Sequence, residues 1–187
     1  MTQVVSVRLA REGYIRIHVV TLQEADGARH DREVEDHGRS ACVLPYDAAR
    51  KVALMVRLPR TPLLLAGEPE PLFEAPAGMI DGDEAPDETI RREAMEEAGL
   101  ALTALEPVAR VWCSPGVSAE RSSLFLAPYA AADRVAEGGG LAEEHEHIQV
   151  VELPLAELWR KVEAGEIEDL KTLALSLALH ARHPELF

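Results

Sequence analysis

The chain has 187 residues, 47% of them apolar, enough for one sizeable domain or a domain with a small appendage. Its 33 acidic residues against 19 lysines and arginines leave a net charge of −14, and no Lys/Arg cluster supplies the basic footprint that nucleic-acid binding requires. No apolar run is long enough to span a membrane, and the N-terminus lacks a secretory pattern. Cys42 and Cys113 lie far apart and read as free thiols, so a cytoplasmic protein is expected.

Val4–Leu9 and Tyr14–Leu22 read as strands, the second rich in β-branched residues. Asp26-Gly27 is a turn signal, Ala28–Val34 a third strand, and Asp36-His37-Gly38-Arg39-Ser40 punctuates the chain. Residues 1–39 are therefore expected to form a small β subdomain. Its limited apolar content predicts packing against something else, such as a second copy of the chain. Residues 40–187 form the main domain. Ala41–Pro45 and Val52–Leu58 are short apolar strands joined by the turn Asp47-Ala48-Ala49-Arg50, and Thr61–Pro71 is a loop broken by Pro and Gly.

Leu72–Ala75 leads into Pro76-Ala77-Gly78 and then a helix. Pro86 and Asp87 suit its start, Asp87 and Glu88 its first turn, and Gly99 its end. Within it Glu93, Glu96 and Glu97 stand at i, i+3 and i+4 and so share one face, while Ile90, Ala94 and Ala98 can face a core. Three carboxylates on one face repel unless something offsets their charge. A hard divalent cation with oxygen ligands, Mg2+ or Mn2+, does so. Arg92 is placed to pair with a neighbouring carboxylate and fix its orientation.

Strands are expected again at Leu105–Trp112 and Leu124–Tyr129. Gly138-Gly139-Gly140 then opens a flexible acidic loop, Glu143-Glu144-His145-Glu146-His147. Its two histidines have no further Cys or His nearby to complete a zinc site, and read as exposed side chains. Ile148–Leu153 is a strand; Leu155–Glu163 and Leu170–Arg182 are helices by their apolar spacing. Strands interleaved with helices on both faces give an α/β fold, an α/β/α sandwich with a mixed sheet and a small N-terminal β subdomain.

The run from Gly78 to Leu100 fills every fixed position of the pattern G-x5-E-x7-R-E-U-x-E-E-x-G-U: Gly78, Glu84, Arg92, Glu93, Glu96, Glu97 and Gly99. The first bulky position, U, holds the small Ala94. This resembles an intact Nudix box, and the resemblance extends over nearly the whole chain to the ADP-ribose and GDP-mannose pyrophosphatase branch of the Nudix hydrolases. The segments that carry it are Arg32-Glu33-Val34 before Asp36-His37-Gly38, Glu74-Ala75-Pro76-Ala77-Gly78, Ser114-Pro115-Gly116 followed by Glu120, and Gly165–Thr172. Pro115 stands where ADP-ribose pyrophosphatases carry a proline, a feature that the GDP-mannose enzymes share.

The resemblance implies a Nudix-type sandwich that hydrolyses the diphosphate of a nucleotide sugar with Mg2+ (Mn2+ as a substitute), acting as a homodimer. ADP-ribose, cut to AMP and ribose 5-phosphate, is the first expectation and GDP-mannose the close alternative; a sensor that binds without cutting is an alternative of another class. The implied metal ligands are Glu93, Glu97, the Ala77 carbonyl, Glu96 and, as an added ligand, Glu146. Glu144 is the first choice of general base within the acidic loop. Arg60, or Arg57 in its place, would contact phosphate, with Gly78 and Met79 adjoining the substrate. Arg32 and Glu33 match a pair that reaches the base or ribose across a dimer interface, and Glu120 would approach the metal site or the sugar.

Overall fold

A computed structural model of the chain describes residues 1–68, 70–141 and 147–187. The chain divides into two compact units: residues 1–39 with 111–122, and residues 40–110 with 123–187. The first unit therefore takes in a stretch from the middle of the chain as well as the N-terminal β segment.

In the first unit, β1 (Gln3–Arg11), β2 (Arg16–Gln23) and β3 (Arg29–Asp36) form an antiparallel sheet in the order β1-β2-β3. The third strand runs two residues beyond the expected Val34. The turn between β2 and β3 closes as expected at Asp26-Gly27, where the Asp26 carboxylate accepts from the Ala28 N–H at 3.0 Å. The segment 111–122 is stitched to the end of β3 by backbone bonds in both directions: Glu35 N–H to the Val117 carbonyl (2.8 Å) and Ala119 N–H to the Glu35 carbonyl (2.7 Å).

The second unit holds the core. β4 (Arg39–Asp47), β5 (Val52–Arg57), β7 (Glu106–Trp112), β8 (Arg121–Pro128) and β9 (Gln149–Pro154) form a sheet ordered β7-β8-β4-β5-β9, and the short β6 (Ala77–Met79) pairs with β4. β4 is antiparallel to β5 and β6. It runs parallel to β8, since Arg121 N–H donates to Gly38 and, eight residues along each strand, Tyr129 N–H donates to Tyr46. The sheet is mixed, as expected.

Alternation along β4 sends successive side chains to opposite faces. Ala41 and Val43 join Ile90, Ala94 and Ala98 of α2 (Pro86–Ala98) in one fully buried cluster. Cys42, on the other face, senses the charges of Lys171 and Asp169 at the start of α4 (Leu170–Arg182), and burial pushes its thiol pKa up. α3 (Leu155–Glu163) packs against β5, β9 and α4 through the buried Leu155 and Leu158. Each such buried leucine contributes about 1.5–3 kcal/mol relative to exposure.

One helix was not expected. Thr61–Ala66 forms α1 inside the stretch read as a broken loop. Pro62 occupies its first turn, where its missing N–H costs nothing, and Gly67 ends it. Six residues are too few for a readable apolar period, which is why the Pro and Gly suggested a loop.

Candidate functional site

The site grows from how the segment Glu74–Met79 is held. Glu74 exchanges both backbone bonds with Val56 of β5, at 2.8 and 2.9 Å. Pro76 accepts from the Val43 N–H (2.9 Å), and the Ala75 N–H donates to the Thr172 hydroxyl of α4 (2.7 Å). Ala77 and Gly78 then pair with Cys42 and Ala41. With nearly every backbone group satisfied inside the fold, the segment is a rigid ledge.

α2 lays its acidic face on that ledge. Asp87 and Glu88 sit in its first turn, and the Glu88 carboxylate reaches back to the Ala85 N–H at 3.3 Å. Its apolar face fixes its rotation, because Ile90, Ala94 and Ala98 are fully buried. Glu93, Glu96 and Glu97 consequently point the other way. Glu97, only 4% exposed, accepts from the Ala77 N–H at 3.1 Å. Glu93 lies so close to Gly78 that a Cβ there would sit 1.9 Å from its carboxylate oxygen. Glycine at position 78 thus permits the close approach of backbone to carboxylate.

Arg92 organises the carboxylates. It donates to Glu93 (2.8 Å), Glu96 (3.1 Å) and Glu84 (3.3 Å), and lies 3.8 Å from Asp81. Burial alone would lower the pKa of Arg92, but Glu84 and Glu93 outweigh it and hold the guanidinium more firmly charged. Hydrogen bonds from Thr89 and Arg92 hold Glu84 below the usual carboxylate range. One cation facing several carboxylates leaves the cluster net negative. Its donors are all oxygens, the set that suits a hard divalent ion. Glu93, Glu97 and the Ala77 backbone are the groups at hand to hold one, with Glu96 beside them. Among the described residues no three Asp, Glu, His or Cys side chains form a ready cage, so a backbone oxygen would complete the set.

The two arginines suggested for phosphate are placed differently. Arg57 donates twice to the Pro71 carbonyl, at 3.1 and 2.9 Å, and stacks on Phe73, so it serves the loop. Arg60 makes a two-pronged pair with the buried Glu74, at 2.9 and 2.8 Å, and senses Glu97 and Asp169. That pair raises its pKa further, and Arg60 faces the carboxylate side. Lys171 was not singled out in the sequence. It is largely buried, bonds Asp169 at 2.7 Å and interacts with Cys42 and Glu74. Its only sequence signal is its place in the Gly165–Thr172 segment.

Met79 pairs with Ser40 at the end of the ledge. Arg32, Glu33 and Glu120 belong to the first unit. Arg32 and Glu33 are exposed on β3, with Arg32 donating to the Asp31 carbonyl at 3.0 Å. The Glu120 backbone is fixed by the Ser118 hydroxyl at 3.1 Å. Glu144 and Glu146 lie outside the described residues.

Comparisons with known proteins identify the family. The NUDIX domain model matches residues 36–175. The chain is 39% identical over 185 residues to a GDP-mannose pyrophosphatase of Cronobacter sakazakii (strain ATCC BAA-894), covering 96% of this chain and 95% of that protein. It is 35% identical over 191 residues to a GDP-mannose pyrophosphatase of Escherichia coli (strain SMS-3-5 / SECEC), covering 98% of each. Among solved structures, the crystal structure of an ADP compounds hydrolase superposes with a TM-score of 0.78 at 18% identity, covering 98% of this chain and 95% of that one, a likeness of fold. With an intact acidic box on a rigid ledge, a domain model matched over most of the chain and relatives matched over nearly their whole length, the chain belongs to the Nudix hydrolase family.

Proposed function

We propose that the protein hydrolyses the diphosphate linkage of a nucleotide sugar, with GDP-mannose ahead of ADP-ribose. The observation that carries the reaction class is the seating of α2: Glu93 against Gly78 and Glu97 on the Ala77 N–H. The order of substrates rests on the relatives matched over nearly their whole length, which are named GDP-mannose pyrophosphatase. ADP-ribose, the first expectation from sequence, remains the second reading because Pro115 suits both.

In the reaction, water oxygen bonds to one phosphorus and the bridging P–O bond breaks. GDP-mannose would give GMP and mannose 1-phosphate; ADP-ribose would give AMP and ribose 5-phosphate. Such transfers need charge stabilisation and alignment more than covalent help from the protein. Bound Mg2+ would lower the pKa of the attacking water and neutralise charge on the diphosphate. Glu93, Glu97, Glu96 and the Ala77 carbonyl would hold it, and Arg92 keeps the Glu93 and Glu96 carboxylates oriented. Arg60 would bring positive charge to a phosphate oxygen at the cost of loosening its bond to Glu74. The proton from the water would pass to Glu144, a general-base role worth roughly 10²–10⁴-fold. Bound cations reverse the local field and so reconcile an acidic protein with an anionic substrate.

Partners follow the same reading. The protein acts as a homodimer in which Arg32 and Glu33 of one copy reach the base or ribose bound by its partner, while Glu120 approaches the metal site or the sugar. No described helix is long and apolar enough to cross a membrane.

The test is incubation of the protein with GDP-mannose and with ADP-ribose, each with Mg2+, beside Glu97→Gln. Release of nucleoside monophosphate, with kcat/KM higher on GDP-mannose and activity lost in the variant, is the expected result. A higher kcat/KM on ADP-ribose would reverse the order of substrates. No monophosphate from any of a panel of nucleotide sugars would overturn hydrolysis, and tight binding without turnover would identify a sensor.

A further inference from the structure

The glycine run Gly138-Gly139-Gly140, which reads in the sequence as the opening of a flexible acidic loop, is hydrogen-bonded to the end of α2. The Gly139 N–H donates to the Glu97 carbonyl at 2.8 Å, and the Gly140 N–H to the Glu96 carbonyl at 3.1 Å. These carbonyls lie in the last turn of α2, where a helix has no backbone partners of its own to offer. Just upstream, Val135 N–H and Ala136 N–H donate to the Gly99 carbonyl at 2.9 and 3.3 Å, and the Ala101 N–H donates to Asp133 at 2.9 Å. The Gly139 carbonyl in turn accepts from the Ile148 N–H at 3.3 Å, at the start of β9. The segment from Asp133 to Gly140 therefore clamps the end of the helix and ties it to the sheet.

The clamp is built for close approach. Gly138 has φ +76°, and a Cβ there would lie 2.5 Å from the Glu97 carbonyl oxygen and 2.7 Å from Ala98 backbone atoms. Those are backbone atoms of a buried turn and cannot swing aside as a side chain does. The clamped residues are the ones that carry the acidic face, Glu96 and Glu97.

We infer that Gly138–Gly140 is a positioning element of the metal site: its backbone N–H groups fix the last turn of α2 and so the two carboxylates that this turn presents to a divalent cation. The inference deepens the proposed function and rests on its metal reading. By reciprocity of linked equilibria, a clamp that favours metal binding must itself be tightened when metal binds.

Two measurements test it. The first compares Gly138→Ala with Gly165→Ala by calorimetric titration with Mn2+, with thermal melting as a check on folding. Gly165 also has a left-handed φ, +71°, but open space around its Cβ position, so its variant carries the backbone strain without the overlap. Gly138→Ala is expected to weaken Mn2+ binding about tenfold, in the range that supporting residues around metal ligands contribute, and Gly165→Ala to leave it unchanged. Wild-type Mn2+ affinity in a folded Gly138→Ala protein would overturn the inference.

The second needs no variant. Amide hydrogen exchange at Gly139 and Gly140 should slow at least threefold with saturating Mg2+, with Gly67 unchanged; equal rates with and without bound Mg2+ would overturn it. Metal-linked protection without cleavage of any nucleotide sugar would keep the clamp and remove the hydrolase reading. Cleavage with no metal-linked protection would do the reverse.

Discussion

β1 and β4 are both nine residues long and both carry apolar side chains, yet they end in opposite environments. Eight of the nine residues of β4 are buried, while every residue of β1 is exposed. Val4, Val5, Val7 and Leu9 are 44–62% exposed, in a strand that pairs only with β2 in the three-stranded sheet. β4 lies between β8 and β5, with α2 over one face and α4 near the other. Apolar residues in a strand therefore do not reveal whether it is covered by its own chain. In the second unit the chain supplies the cover; in the first the described residues leave β1 exposed, and a second copy is the occupant we propose. Register shifts after Val4 and after Leu9 interrupt the edge of β1, which disfavours open-ended strand addition and favours cover over its face.

The largest expected effect tests the seating of α2 in the second unit. Gly78→Ala drives a methyl group into the Glu93 carboxylate. The carboxylate is the end of a flexible side chain and will move, so folding should survive and the site should not. Hydrolysis of GDP-mannose is expected to fall roughly 10²–10³-fold, the scale of losing one charge-stabilising group, with the melting temperature nearly unchanged. Near-normal turnover would show that the contact between Gly78 and Glu93 is unimportant. Melting well below wild type would make the glycine structural.

The same division explains what could be read in advance. α2 was legible because its signals are local: Pro86 at the start, Gly99 with φ 66° at the end, and the apolar and acidic residues on separate faces. Arg92 among carboxylates followed from the same spacing. The roles of Glu74, Thr172 and Gly138–Gly140 depend on contacts between residues distant in sequence. Thr172 bonds Ala75 across 97 positions, and Gly139 reaches back to Glu97, and neither leaves a periodic trace. A glycine run reads as flexible whether it is free or pressed against a helix. The resemblance left Arg57 as an alternative to Arg60; only the fold separates the one held by Pro71 from the one held by Glu74.

A middle-sized effect is expected in the first unit. Val7→Asp places a charge on the exposed face of β1, where it costs little in a monomer and much in an apolar contact between copies. Light scattering should move from dimer mass to monomer mass. If Arg32 and Glu33 serve the neighbouring copy, kcat/KM on GDP-mannose should fall tenfold or more in the monomer, chiefly through KM, because a base-contacting pair binds ground state and transition state alike. A monomeric wild type would break the comparison at its root, leaving β1 uncovered by anything. A monomeric variant with unchanged KM would keep the dimer and remove the cross-subunit role.

The smallest effect lies at the start of α4 and depends on pH. Asp169 accepts from the Thr172 N–H (2.8 Å) and hydroxyl (2.7 Å), while that hydroxyl accepts from Ala75, two residues before Ala77. Burial alone would raise the pKa of Asp169, but Lys171 and the hydrogen bonds from Lys171 and Thr172 outweigh it and hold the carboxyl below its ordinary 3.8. A folded-state pKa below the unfolded one stabilises the fold above pH 3.8, and that contribution disappears as pH falls through the folded value. Lys171 is shifted the other way, above its ordinary 10.5, so its share is full below that pH. Asp169→Ala should therefore cost about 1–2 kcal/mol by urea unfolding between neutral pH and pH 5, the scale of a lost helix cap. The gap from wild type should narrow only below about pH 4, as the wild-type carboxylate itself protonates. A gap that instead closes between pH 7 and pH 5 would mean that Asp169 titrates as a raised carboxyl, with burial winning over Lys171. The first unit offers the contrast. Its Arg16–Asp36 pair is 2.8 Å long but its arginine is half-exposed, so 0.5 M salt should weaken that pair more than the Asp169 relay.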